Sequence, residues 1–259
     1  MLPLASEPVR ARLRVAACQS LCLQDDFEGN LHRVARAAEA AADAGAQIAC
    51  FPETTLLGWV NPNAHHLAPA IPGAWSDCIS LLARQHEMMF CIGMAEKDGD
   101  DLYDSAVLIG ADGRILLKHR KVNTLVQLLS PPYSRGELQH ISVAQTQLGK
   151  IGVLICADTF VDEVLSCMAG LEPDLLLVPY GWAAEPAKWP KHGENLARVV
   201  CHAAQTVGCT VVGTDCVGAI AHGPWTGQTF GGQSVVADAR GEILAVAKDR
   251  EPDIIVIDV

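Results

Sequence analysis

Three short segments end apolar runs with groups that can do covalent chemistry. Glu53 directly follows the buried-looking run Gln47-Ile48-Ala49-Cys50-Phe51 and Pro52. In open α/β sheets such strand ends face the ligand crevice. Taken singly, a loop acid of this kind is more often simply solvated. Lys118-His119-Arg120-Lys121 closes a second apolar run. Strand alternation sends Lys118 and Arg120 to one face, His119 and Lys121 to the other. By itself, such a cluster is most simply a solvated basic edge that discourages aggregation. Cys156 ends the run Gly152-Val153-Leu154-Ile155 and is followed by Asp158. Most cysteines in such runs are inert and buried. Together the three offer an acid, a cation and a thiol. A thiol of ordinary pKa, about 8.5, needs an adjacent base to become a nucleophile. Its attack on a carbonyl builds negative charge on oxygen, which a held ammonium would meet.

These groups need elements to position them, and two periodicities supply those elements. Arg14 to Cys18 has strand character. Leu31, Val34, Ala35, Ala38 and Ala42 fall at helical spacing before Gly45. Trp75, Ile79 and Leu82 predict a second helix, and Met89 to Met94 a buried strand. Asp112-Gly113 predicts a tight turn between the strands Ala106–Ile109 and Ile115–Leu117. A second hairpin is predicted from Ile141–Val143 to Ile151–Ile155, turning at Leu148-Gly149-Lys150. A strand at Asp174–Val178, a long helix around Leu196–Val207 and a strand at Thr210–Val212 follow. The chain closes with a hairpin about Ala239-Arg240-Gly241 and a last strand at Ile254–Val259. Hairpins mixed with crossovers predict a layered α/β domain rather than an all-parallel sheet. With no linker or repeat in view, one domain over 1–259 is expected, with 1–12 a loose N-terminal segment.

Composition narrows the classes. Half of the 259 residues are apolar, enough for a sizeable core without disulfides or metal. A net charge of −11 argues against a nucleic-acid or membrane-surface role. Ten cysteines without a C-x-x-C pair point to small buried hydrophobes in a reducing, cytoplasmic compartment. No segment is long and apolar enough to read as a membrane span.

In this order, the segments resemble the nitrilase superfamily of carbon–nitrogen hydrolases. Its Glu–Lys–Cys pattern is matched by Phe51-Pro52-Glu53-Thr54, His119-Arg120-Lys121 and Gly152-Val153-Leu154-Ile155-Cys156-Ala157-Asp158. Glu53 and Lys121 lie 68 residues apart, Lys121 and Cys156 35 apart. Val15–Gln19, Leu102–Val107 and Phe230–Ser234 look like further segments of the family. The resemblance implies an α-β-β-α sandwich that forms a homodimer of the α-β-β-α-α-β-β-α kind. It implies Cys156 as nucleophile, Glu53 as base, and Lys121 with the Ala157 N–H as oxyanion donors. No metal or organic cofactor is then required.

Family amidases carry a second glutamate between the lysine and an aromatic-x-x-Gly step. Here Tyr133 and Gly136 fit the step, but no acid precedes them. Gln127 is the only candidate in that stretch, and Glu137 falls beyond Gly136. Cys156-Ala157-Asp158 lacks the Cys-Trp-Glu of nitrile specialists, and no Arg-Arg follows as in N-carbamoyl hydrolases. Thr159 and Phe160 offer a neutral wall, and Trp182 either stands at the pocket mouth or packs half-buried. The expected substrate is a small, uncharged amide. Nitrile or N-carbamoyl hydrolysis, and a binding protein that has lost catalysis, are the alternatives.

Overall fold

The computed structural model describes residues 13–259; the N-terminal segment 1–12 lies outside them. β1 (Arg14–Gln19) is buried from Val15 onward. α1 (Phe27–Asp43) begins where Asp26 accepts the Gly29 N–H at 3.1 Å, one turn before the first apolar position read from the sequence. It buries Asn30, Val34, Ala38 and Ala41 as one stripe. Beyond it Gly45, at φ +79°, takes the left-handed turn that stops the helix. β2 (Ile48–Cys50), the single turn α2 (Ala64–Leu67) and α3 (Ala74–His86) follow. β3 (Met89–Asp98) and β4 (Asp101–Ile109) form a long hairpin, and β5 (Ile115–Arg120) lies beside β4. The sequence marks only the apolar first half of β3. Its polar end, Glu96-Lys97-Asp98, is held by pairing with β4.

The second half opens with β6 (Val143–Thr146) and β7 (Gly149–Val153), a tighter hairpin than the expected turn implies. α4 (Asp162–Ala169), β8 (Leu175–Pro179), β9 (Ala183–Ala184), α5 (Gly193–Val207) and β10 (Thr210–Thr214) come next. β11 (Val217–Ala219), β12 (Thr229–Gly231), β13 (Val235–Ala237), β14 (Ile243–Val246) and β15 (Asp253–Asp258) complete the chain.

The strands make two six-stranded sheets, β15-β1-β2-β3-β4-β5 and β14-β13-β10-β8-β7-β6, and a small third sheet, β11-β12-β9. Each large sheet has a parallel centre, β1-β2-β3 or β7-β8-β10, flanked by antiparallel strands. Alternation assigns the layers. Val15, Ala17, Ile48, Cys50, Ala106 and Leu108 share one buried cluster with β7 and β8 of the second sheet. The intervening residues Ala16, Ala49, Phe90, Ile92, Val107 and Ile109 pack with α1 and α3. α4 and α5 cover the second sheet through Val164, Leu165, Met168, Leu196 and Val200. The order is therefore helix, sheet, sheet, helix. Each fully buried Leu, Ile or Phe contributes about 1.5–3 kcal/mol, so the core stands without cross-links. All ten cysteines are free. Cys78, Cys167 and Cys201 are only half-buried, unlike the buried thiols expected from the sequence.

Candidate active site

The three chemical groups come from both sheets and meet between them. Glu53 leaves the end of β2, where the Pro52 carbonyl accepts the Gly93 N–H (3.0 Å) and the Glu53 N–H reaches the Tyr180 carbonyl after β8 (3.2 Å). Gly93 is needed for this approach. A Cβ there would lie 2.5 Å from Glu53 Cα and 2.7 Å from Pro52 O, both rigid backbone atoms. Gly93→Ala should therefore push Glu53 out of place and lower kcat about 100-fold, the scale of a 1 Å misplacement. Steady-state kinetics check this, and a kcat within threefold of the parent would show that the Glu53 loop gives way freely.

Lys121 directly follows β5, with its N–H on the Asp104 carbonyl at 2.9 Å. Cys156 follows β7 at φ +42°, a left-handed conformation that a side-chain-bearing residue rarely adopts. The turn lifts the thiol out of the strand line, and a short 3-10 turn over Cys156–Phe160 leads on to α4. Strain of this kind is held by its surroundings. The Thr159 hydroxyl donates to the Cys156 carbonyl (2.7 Å) and pairs with the Tyr180 hydroxyl (2.9 Å).

At the meeting point the Lys121 ammonium donates to Glu53 Oε1 and, at 3.1 Å, to Asp104 Oδ2. The Glu53 carboxyl also contacts the Cys156 thiol, whose sulfur receives the Gly181 N–H. Glu53, Lys121 and Cys156 are 0%, 1% and 4% exposed, so their charges act in a nearly dry site. Burial alone would raise the Glu53 carboxyl. The Lys121 charge and the surrounding hydrogen bonds outweigh it and hold the group below its ordinary range. Burial would likewise lower Lys121, but Glu53 and Asp104 keep it well above its usual value. Burial, then the Glu53 charge, pushes the Cys156 thiol well up. The resting site thus holds a carboxylate, an ammonium and a neutral thiol.

Asp158 locks the two sheets together here. It accepts the Val122 and Asn123 N–H groups (2.9 Å each), the Ile155 N–H (3.1 Å) and a bond with His119 Nε2 (2.7 Å). The stretch after β5 and the nucleophile turn thereby share one buried carboxylate. Between them runs residues 122–135, a loop with a narrow neck: the Gly136 N–H returns to the Lys121 carbonyl at 2.8 Å. The strand alternation places His119 and Lys121 inward. Lys118 and Arg120 turn to the other face but are not merely solvated: both pair with the buried Glu96.

The remaining candidates divide. Tyr133, 6% exposed, brings a hydroxyl without a partner beside Asp104 and Glu53. Ala157 is buried next to the thiol, its carbonyl taking the Asn123 side-chain amide at 2.8 Å. Thr159 spends its hydroxyl on the nucleophile turn and does not present it to a pocket. Phe160 meets Trp182 edge to face at 5.5 Å, and Trp182 stands 6.2 Å from the Tyr180 ring and stacks on His192. Phe160 is 44% exposed, so this aromatic group reaches the protein surface. Asp104 and Gly181 were missed as site residues. Asp104 was hidden by a register shift between β4 and β5, and Gly181 could be found only from the path of β8.

Stacked mixed sheets with an acid–ammonium–thiol cluster at their seam define a layered α/β protein centred on a buried cysteine. The chain belongs to the carbon-nitrogen hydrolase family, whose family model matches residues 14–259. It is 28% identical to the chloroplastic omega-amidase of Arabidopsis thaliana over 272 residues, covering 98% of this chain and 69% of that protein. It is 32% identical to a nitrilase of Paraburkholderia phymatum over 162 residues, covering 56% of this chain and 46% of that protein. The chain spans about half the length of the first curated relatives it matches. Its fold is also that of a mutant amidase from Nesterenkonia sp. AN1, solved with the acetamide moiety of fluoroacetamide added at the active-site cysteine. The TM-score is 0.83 at 23% identity, covering 97% of this chain and 92% of that one.

Proposed function

We propose that the protein hydrolyses a small, uncharged, non-peptide amide through a cysteine thioester, releasing ammonia or an amine. The observation that carries this is the Glu53 carboxyl, in contact with both the Lys121 ammonium and the Cys156 thiol inside a nearly closed site. As sulfur attacks the carbonyl carbon, its proton passes to Glu53 and the C=O electron pair moves onto oxygen. Lys121 and the Ala157 N–H receive that oxyanion. Sharing the ammonium with the oxyanion loosens its hold on Glu53 and raises the basicity of the carboxylate at the moment it is needed. Collapse breaks the C–N bond as Glu53 gives its proton to the departing nitrogen. Water then attacks the thioester with Glu53 as base, the C–S bond breaks, and the thiol recovers its proton. The steps balance with these residues and water alone.

Enclosure favours a small substrate. The unpartnered Tyr133 hydroxyl supports a hydrogen bond to it, and the Phe160–Trp182 pair supports an uncharged wall for it. The relatives named amidases fit the amide reading; those named nitrilases keep nitriles in the test. That test is an ammonia-release screen over small amides, nitriles and N-carbamoyl compounds. Turnover of amides above the others supports the proposal, preference for nitriles replaces its substrate, and no release from any class overturns it.

Cytoplasmic placement belongs to the same reading, supported by ten free thiols. No described helix is long and apolar enough to cross a membrane. The homodimer is proposed through the α4–α5 layer, where Val199 and Cys201 are only partly buried. Sedimentation should give twice the chain mass, and a monomer at micromolar concentration would contradict it.

A further inference from the structure

Lys121 touches two carboxyl groups. Asp104 lies on β4 directly across from it, one step beyond the Ser105–Arg120 pair. The Asp104 main-chain oxygen takes the Lys121 N–H at 2.9 Å, and its Oδ2 takes the ammonium at 3.1 Å. Asp104 is 2% exposed. Its other oxygen, Oδ1, has no N–H or O–H partner, and neither has Glu53 Oε2. The Glu53 and Asp104 carboxyls flank the same ammonium, Glu53 through Oε1 and Asp104 through Oδ2, and each acts electrostatically on the other. Two adjoining carboxyls in a dry site cannot both stay ionised against one ammonium. A single proton between them satisfies both orphaned oxygens and balances the charge.

We propose that Asp104 is the second carboxyl group of the site, a positioning residue whose protonated Oδ1 donates to Glu53 Oε2 while its Oδ2 holds Lys121. The proposal rests on the hydrolytic reading above and supplies, from β4, the acid that the loop before Tyr133 lacks. Burial and then the Glu53 charge push the Asp104 carboxyl well above its ordinary range, while Glu53 is held below its own, so the shared proton resides on Asp104. Through turnover Asp104 neither gains nor loses a proton. Cys156 gives its proton to Glu53, and Glu53 passes it to the leaving nitrogen. Asp104 keeps Glu53 from rotating and Lys121 from following the carboxylate away from the oxyanion position. Tyr133, whose free hydroxyl lies in the field of the same pair, completes the polar wall on that side.

The test compares D104N with D104A. An amide keeps one donor for Glu53 and one acceptor for Lys121, so D104N should retain kcat within about tenfold. D104A loses both bonds and should lose about 100-fold or more in kcat, with a smaller change in KM, on the scale of a misplaced catalytic group. Equal loss in the two variants would overturn the proposal, because it would mean that the position needs an ionised carboxylate. A second arm needs no substrate. The infrared difference between wild type and D104N at neutral pH should show a carboxylic-acid C=O stretch that shifts in D2O and is missing from the variant. Carboxylate bands alone would overturn the proposal even if the enzyme hydrolyses amides. The acid band in a protein that releases no ammonia would uphold the pairing while the hydrolytic reading fails. If D104A does not fold, the infrared arm and D104N still decide.

Discussion

Cys156→Ser leaves a folded protein whose turnover falls by about 10⁴-fold or more. Serine has nearly the volume of cysteine and faces the same strained turn at φ +42°, so the Thr159 and Asp158 bonds around it persist. Stability changes by about 1 kcal/mol at most, a shift of roughly 2–4 °C in Tm for a chain of this size. Chemistry is another matter. The Glu53 carboxylate is held below its ordinary range by Lys121, so it is a weak base. It can take a proton from a thiol as the C–S bond forms. An alcohol is far less acidic, and the same carboxylate cannot activate it. Ammonia release measured beside a thermal melt checks both halves. Activity within tenfold of the parent in a folded Cys156→Ser protein would sink the thioester mechanism.

Lys121→Ala costs more than one oxyanion donor. Loss of such a donor alone lowers kcat about 10²–10³-fold. Here Lys121 is also the only cation bonded to Glu53 and Asp104 among the described residues, all three nearly fully buried. Removing one partner of a buried ion pair costs about 3–5 kcal/mol, unless the stranded carboxylate takes up a proton. Protonation would relieve the instability by disabling the base. The expected result is therefore a kcat loss of at least about 10³-fold with a lowered Tm. KM should change less, because the charge that Lys121 meets exists only in the transition state. Lys121→Arg does not restore activity, since a planar guanidinium cannot occupy the point position of an ammonium. Lys118→Ala provides the contrast. Lys118 pairs with the buried Glu96, which keeps Arg120 and Ser105, so stability drops by about 1–2 kcal/mol while kcat holds. Kinetics and melts of the three variants decide, and equal kcat losses from Lys118→Ala and Lys121→Ala would refute the assignment.

The mixed α/β character was legible in local patterns, whereas Glu53, Lys121 and Cys156 stood out only in combination, through the resemblance their three segments carry together. Period-two alternation put Lys121 and Lys118 on opposite faces, and the structure turns Lys121 inward. Alternation does not say what waits on the far face, which is why Lys118 read as solvated although Glu96 lies beneath it. Asp104 was hidden by a backbone irregularity. Counting outward from the Asp112-Gly113 turn through the Ile109–Ile115 pair would set Tyr103 opposite Lys121. The register shifts between Leu108 and Ile109, and that single residue brings Asp104 there instead. The direction of Thr159 was equally closed to inspection, because the chain turns tightly after Cys156 and rotates each following side chain to a different wall. α4 and the three short strands are below the length at which periodicity identifies an element.

The narrow neck of the loop after Lys121 separates two kinds of change. Its two ends meet where Gly136 returns to Lys121, and Asp158 pins the first residues independently of what the rest contains. For a loop closed at its base, the entropy of closure rises only slowly with length, about 0.6 kcal/mol per doubling. Within the loop Leu128, Leu129 and Tyr133 are buried in two satellite clusters, so a change there costs packing locally while the neck shields the ammonium from it. Under the proposed hydrolysis, mutation in that stretch, Tyr133 included, would alter the wall facing the substrate before it altered Glu53, Lys121 or Cys156. Descendants of this chain could diverge in diet long before they diverge in chemistry.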